Sequence, residues 1–214
     1  IAQSLERIWQ ASGDRNFLEE VLPRALDYYK WLFSFSDPDQ DGLISIIAPF
    51  ESGLDFSPEF DEVLGLEDPN DLSLYLKARW VEIVNKYIFR YNRSAILRSG
   101  PFVVEEVMVN AIAAQGLKSL SRLLNEIGAT SDAKWARQQA FAVKDSLIKY
   151  CYDDAAGAFF GLFGREKKRL KTLTLDPRNE VSKHELRVLF ERRSQRRTRA
   201  LRHAFRQPLE VRNR

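Results

Sequence analysis

The chain has 214 residues, 44% of them hydrophobic and 29% charged, with a formal net charge of +3. This composition excludes a disordered or collagen-like chain and supports a sizeable core in one domain, or two at most. A single cysteine, Cys151, excludes an internal disulfide and suits the cytoplasm, and no window approaches the ~18 uninterrupted apolar residues of a membrane span. No positively charged leader precedes an apolar core, so a soluble protein with no membrane partner is expected. The two histidines, His184 and His203, lie in no spacing that suggests zinc, and no metal or cofactor is expected.

The chain opens on Ile1, and Leu5, Ile8 and Trp9 already stand at helical spacing, so it is expected to begin inside a longer protein. Residues 16 to 34 carry Leu18, Val21, Leu22, Ala25, Leu26, Tyr29, Trp31, Leu32 and Phe33 close to the spacing of a buried helix, with Pro23 near its first turn. That helix must end before Asp37-Pro38. A second helix is expected from Leu72 to Tyr91, capped by Asn70 or Asp71, with Leu76, Trp80, Ile83, Val84, Tyr87 and Ile88 on a broad apolar face. A third runs from Val103 to Ile127, where small residues allow close packing and Gly128 supplies the stop. Glu105 and Glu106 open this helix, where carboxylates complement the macrodipole. A fourth follows from Asp132 to Tyr150, after the cap candidate Ser131. Trp80, Tyr87 and Trp135, at helical spacing, are expected in the core. The glycine- and aromatic-rich stretch from Gly157 to Phe163 reads as a short strand or extended loop.

Two irregular segments carry possible chemistry. Asp37-Pro38-Asp39-Gln40-Asp41-Gly42 matches the first half of an EF-hand loop, but the twelfth position, where a bidentate glutamate belongs, is Ala48. The loop is therefore expected to be a turn ordered by its own aspartates. Residues 49 to 61 gather carboxylates, a flexible glycine and bulky apolar side chains between two helical patterns, with Gly53 allowing a sharp turn and Pro58 ending regular structure. Held among Phe50, Leu54 and Phe56, Asp55 would be poorly solvated, the setting that keeps a proton available for donation at neutral pH. On chemistry alone, the commoner role of such a loop is helix capping.

The run Glu51-Ser52-Gly53-Leu54-Asp55-Phe56-Ser57-Pro58, followed by Asp61, resembles the signature of the glycoside hydrolase family 63 relatives that include mannosylglycerate and glucosylglycerate hydrolases. It is also similar to the Glu-Ser-Gly-Trp-Asp segment of trehalases. The likeness extends to Asp37-Pro38-Asp39-Gln40-Asp41-Gly42-Leu43 and to Phe102 through Asn110, covering much of residues 15 to 175. It implies an all-α fold of the (α/α)6 barrel type (six-hairpin glycosidase), with a small carbohydrate as partner. It also implies an inverting α-glycosidase in which Asp55 is the general acid and the general base is a glutamate beyond the region of similarity. Phe50, Glu51 and Ser57 flank the acid, and Asn110 stands on a helix that could line the inner ring; these four are the expected substrate contacts. Ala48 departs from the family, which usually has histidine before the Pro-aromatic-Glu-Ser-Gly run. Twelve helices of roughly average length need more residues than this chain supplies, so about half a barrel is expected, inactive alone and prone to self-association through uncovered apolar faces.

Composition changes sharply near the end. Residues 165 to 214 hold 17 Lys or Arg against 6 Asp or Glu, whereas the rest holds 16 against 24. The similarity also stops near Leu175. Residues 1–175 are thus expected to form the partial barrel, and residues 176–214 a basic tail, helical or disordered, explained by a truncated, shifted or rearranged reading frame, or else by a solvated native tail. The alternative is a non-enzymatic helical binding protein whose tail, with Arg192-Arg193 and Arg196-Arg197, contacts nucleic acid. Few aromatics accompany those arginines, and no docking motif is recognisable, which disfavours that alternative.

Overall fold

The computed structural model describes residues 1–55, 57–66 and 73–172. The proposed basic tail falls wholly outside the described residues, as does Phe56. Two helices open the fold, α1 (Ala2–Ser12) and α2 (Arg15–Ser36), and Asp14 caps the second by accepting from the Phe17 backbone N–H at 3.1 Å. Leu18, Leu22, Ala25, Leu26, Tyr29 and Phe33 form the buried stripe that the sequence spacing indicates, while Pro23 lies inside the helix rather than in its first turn.

Most of the core gathers around a helical hairpin, α6 (Val107–Glu126) and α7 (Thr130–Ser146), turned by Gly128 at φ 85°. The hairpin is locked to α1 by a fork of hydrogen bonds, Arg122 Nε to Glu6 Oε1 at 2.5 Å and Nη2 to Oε2 at 2.6 Å. Against α2 the approach is closer still. A Cβ on Gly116 would stand 2.0 Å from the Tyr29 hydroxyl, so only glycine lets the two helices meet there.

Between α2 and α6 along the chain come α3 (Asp61–Leu64), α4 (Leu74–Tyr87) and α5 (Arg93–Ser99). The second expected helix is shorter than its periodicity suggests, because Arg90 and Tyr91 take left-handed conformations (φ 50° and 54°) and Asn92 then caps the unforeseen α5. Its buried side is also different. Ala78, Val81, Val84 and Asn85 face inward, whereas Leu76, Trp80 and Tyr87 are 67%, 54% and 70% exposed, so Trp80 and Tyr87 are not core residues among the described part of the chain. The third helix starts at Val107 because Val104 and Glu105 leave it to pair in a sheet. The fourth continues past Ser146 as a wider π turn, Leu147–Cys151, with Cys151 buried and free.

Short strands complete the fold. β1 (Val104–Glu105), β4 (Leu162–Phe163) and β5 (Lys168–Arg169) form an antiparallel sheet in the order β1-β4-β5, with Glu105 opposite Leu162. β2 (Tyr152–Asp153) and β3 (Ala158–Phe159) form a separate hairpin. The extended region anticipated at 157–163 is thus β3 and β4. Among the described residues, no helix is long and apolar enough to cross a membrane.

Candidate active site

A buried, extended segment, Leu43 to Ala48, delivers the acidic loop to its position. Buried backbone outside a helix or sheet must find specific partners, and here they come from across the fold. Ser45 N donates to Ser36 O at 2.8 Å, and Ile46 exchanges two hydrogen bonds with Val104, at 2.8 and 3.0 Å. Asn110 Oδ1 accepts from Ile44 N at 2.7 Å and its Nδ2 donates to Ile44 O at 2.9 Å. Ile47 N donates to Glu51 Oε2 at 2.8 Å, and Asn85 Nδ2 donates to Ile47 O at 2.9 Å.

The loop then folds tightly on itself. Pro49–Glu51 makes one 3-10 turn and Pro58–Phe60 another, with Gly53 at φ 74° between them. Ser52 Oγ donates to Pro49 O at 2.7 Å and accepts from Leu54 N at 2.8 Å, while Ser57 N closes back on Leu54 O at 2.9 Å. Phe60 anchors the far end, fully buried and edge-on to Phe102 with ring centroids 5.3 Å apart. Glu51 also receives a guanidinium fork from Arg93, at 2.6 and 3.2 Å, and Arg93 reaches on to Ser45 O at 3.1 Å.

Asp55 is held at the tip of this framework, half-buried, with Phe50 and Ser57 also half-buried beside it in sequence. Leu54 is exposed, so the apolar surround expected from the sequence is not closed by that side chain. Asn110 does not join this group. It is fully buried, and its amide is engaged by Ile44 and by Glu106 O, which corrects its expected placement at a sugar: burial and saturated hydrogen bonding leave it no accessible donor. Glu51 likewise orders backbone and Arg93, while keeping part of its carboxylate exposed. Grooves lined by Phe33, Asp37 and Gln139, and by Leu97, Pro101 and Phe163, include neither Asp55 nor its loop neighbours.

Two carboxylates are fully buried, Glu59 in the loop itself and Glu106 at the start of α6. Glu106 is the N-cap of α6, not a first-turn residue, and accepts from Met108 N and Val109 N. Burial and then the like charge of Glu59 push its carboxyl up to about 7, against those two backbone donors. Glu105 lies in β1, where burial foremost, opposed by Lys167 and assisted by Asp41 and Asp39, raises it to about 7 as well. The Asp37–Gly42 turn is ordered by its aspartates as expected: Asp37 accepts from Asp41 N at 3.1 Å and Gly42 N at 3.0 Å, and Asp41 from Leu43 N at 2.8 Å. Burial foremost raises Asp37 to about 6. Among the described residues, Asp37, Asp39 and Asp41 are the carboxylates close enough to one another to hold a metal ion, with oxygens within 4.8 Å. Asn85, Arg93, Asn110 and Lys167 each bond a group that lies 38 to 126 residues away, a relation that no local pattern in the sequence carries.

The mostly helical fold, with a carboxylate loop delivered through a buried segment, is that of part of a helical barrel. Residues 1–177 match the mannosylglycerate hydrolase MGH1-like glycoside hydrolase domain, and the chain belongs to that family. It is 29% identical over 175 residues to the mannosylglycerate hydrolase of Rubrobacter radiotolerans, covering 71% of this chain and 38% of the relative. To a Thermus thermophilus mannosylglycerate hydrolase it is 34% identical over 128 residues, or 50% of this chain and 31% of the relative. The crystal structure of a family 63 mannosylglycerate hydrolase from Thermus thermophilus in complex with Tris and D-glycerate superimposes with a TM-score of 0.68 at 20% identity, covering 81% of this chain and 47% of that one. The chain thus spans less than half the length of these relatives.

Proposed function

We propose that this chain is the acid-bearing part of an inverting α-glycoside hydrolase acting on a small α-mannoside or α-glucoside of the mannosylglycerate or glucosylglycerate type. The observation that carries this reading is the position of Asp55, at the half-exposed tip of a loop whose base is fixed by the Glu51–Arg93 fork and the buried Phe60. The relatives' names, mannosylglycerate hydrolases, support this substrate class, and the structural neighbour from Thermus was solved with D-glycerate bound.

In this reading Asp55 gives its proton to the glycosidic oxygen as the bond to the anomeric carbon breaks. A second carboxylate, roughly 6.5–9.5 Å away, takes a proton from the water that attacks the opposite face. The products are the free aglycone and the sugar with its anomeric centre inverted. That second carboxylate is assigned to no residue of this chain. Phe50 offers an apolar face to a sugar ring, Ser57 a hydroxyl, and Glu51 the exposed edge of its carboxylate. The uncovered α4 face is the surface on which further barrel helices would pack.

The test is proton NMR of mannosylglycerate hydrolysis by the longest product of the gene, following the first-formed anomer. Initial release of the β-anomer is expected. Initial release of the α-anomer would contradict the proposal.

A further inference from the structure

Lys167, on the turn between β4 and β5, places its ammonium among carboxylates from two separate parts of the chain. It bonds Asp39 Oδ2 at 2.7 Å, Asp41 Oδ2 at short range, and Glu105 Oε1 at 2.9 Å. Burial opposes its charge, yet the three carboxylates outweigh that and hold it protonated well above the usual lysine range. We propose that the Asp37–Gly42 loop and Glu105 form a hard-cation site filled from within by this ammonium, and that a calcium-class ion takes the same place once the ammonium is removed.

Three observations carry this. The aspartates at 37, 39 and 41 alternate as in the first half of an EF-hand loop and converge within 4.8 Å. Ala48, the residue that breaks the linear motif, does not leave the site short of a carboxylate, because Glu105 supplies one from β1. Glu105 is also an acceptor with capacity to spare: its side chain is only 8% exposed, its Oε1 faces the shared ammonium, and its buried Oε2 has no hydrogen-bond partner among the described residues. One positive charge thus serves three carboxylate oxygens, ligands of the kind that a hard divalent ion takes at about 2.3–2.6 Å. The lysine is a tethered substitute for that ion. Its effective concentration in the site is high because its backbone is fixed in the turn, where Lys167 N donates to Gly164 O at 3.1 Å.

The experiment uses Lys167→Met and terbium luminescence, with calcium competition. The Tyr150 ring centroid lies 5.7 Å from the ammonium, so an ion in its place would be sensitised by that ring. Lys167→Met should bind terbium and calcium at least about tenfold more tightly than the unaltered chain, since a like charge a few ångström away has gone. Millimolar calcium should raise the Tm of the variant and leave that of the unaltered chain nearly unchanged, and adding Asp39→Asn should abolish the gain. Equal binding by both proteins, or a folded Lys167→Met that gains none, would overturn the proposal. If Lys167→Met is unfolded in chelator, calcium must restore its fold; failure of calcium to do so, in this variant and in Lys167→Gln, would also overturn it.

Discussion

Asn110 grips Ile44 at both ends of its amide, accepting from the Ile44 N–H at 2.7 Å and donating to the Ile44 carbonyl at 2.9 Å. A side chain on α6 thereby imitates the neighbouring strand that the buried segment lacks at this point, and the acidic loop begins five residues further on. Replacing it leaves two buried backbone groups without partners, at about 1–3 kcal/mol each. Asn110→Ala is therefore expected to cost roughly 2–4 kcal/mol in urea unfolding, with the Ile44 amide among those whose hydrogen exchange accelerates most. A loss below about 0.5 kcal/mol would mean that the clamp is not structural.

Gly116 is the second point where the architecture depends on a single residue. The 2.0 Å separation between its would-be Cβ and the Tyr29 hydroxyl is far inside contact distance. Gly116→Ala should destabilise by about 2 kcal/mol or more through overpacking, despite alanine's better helix propensity. Removing the hydroxyl with Tyr29→Phe leaves the nearest ring carbon at 3.0 Å, so the double variant should recover part of the loss. Additive losses in the double variant would contradict the contact.

Much of this was legible in the sequence, though unevenly. α2 and the α6–α7 hairpin followed directly from apolar periodicity and Gly128, because each buries one continuous stripe. α4 did not, because its pattern has two apolar sides; Ala78, Val81 and Val84 are small enough to pack inward, and the larger Trp80 and Tyr87 stay outside. The loop at 49–61 was recognisable from its glycine, prolines and carboxylates. The roles of Glu51 and Asn110 were not, since each is set by a partner chosen in three dimensions. Periodicity alone puts Glu105 in a helix, whereas it lies in a strand, because pairing with Leu162 supplies its backbone with partners that a helix start would lack.

The uncovered α4 face leads to a prediction about association. Leu76, Trp80, Tyr87 and Ile88 are each more than half exposed, a contiguous apolar surface of the sort that soluble monomers avoid. Sedimentation should show concentration-dependent self-association of the 214-residue chain, reduced by the combined change Leu76→Lys and Tyr87→Lys. A monomer at all concentrations would contradict this.

Glu106 predicts a pH dependence. Its carboxyl is raised from 4.5 to about 7 in the folded chain. Between those values the folded state holds more of the proton than the unfolded state does, so stability falls as pH rises through this window. The contribution is roughly 3 kcal/mol at most, present below the unfolded value and lost above the folded one. Asp37 and Glu105 are raised in the same direction, so the comparison is with Glu106→Gln. The unaltered chain should lose more stability than the variant between about pH 5 and 8 in urea titrations. Parallel curves would mean that Glu106 ionises as readily as in the unfolded chain.

The central claim is that Asp55 donates the proton to the leaving group, and one measurement isolates that act. Turnover by Asp55→Asn, in the longest product of the gene, would be compared for mannosylglycerate and for α-mannosyl fluoride, whose leaving group needs no protonation. The account predicts a loss of at least about a hundredfold on the glycerate glycoside and a much smaller one on the fluoride. Equal losses on both substrates, or none on either, would contradict it.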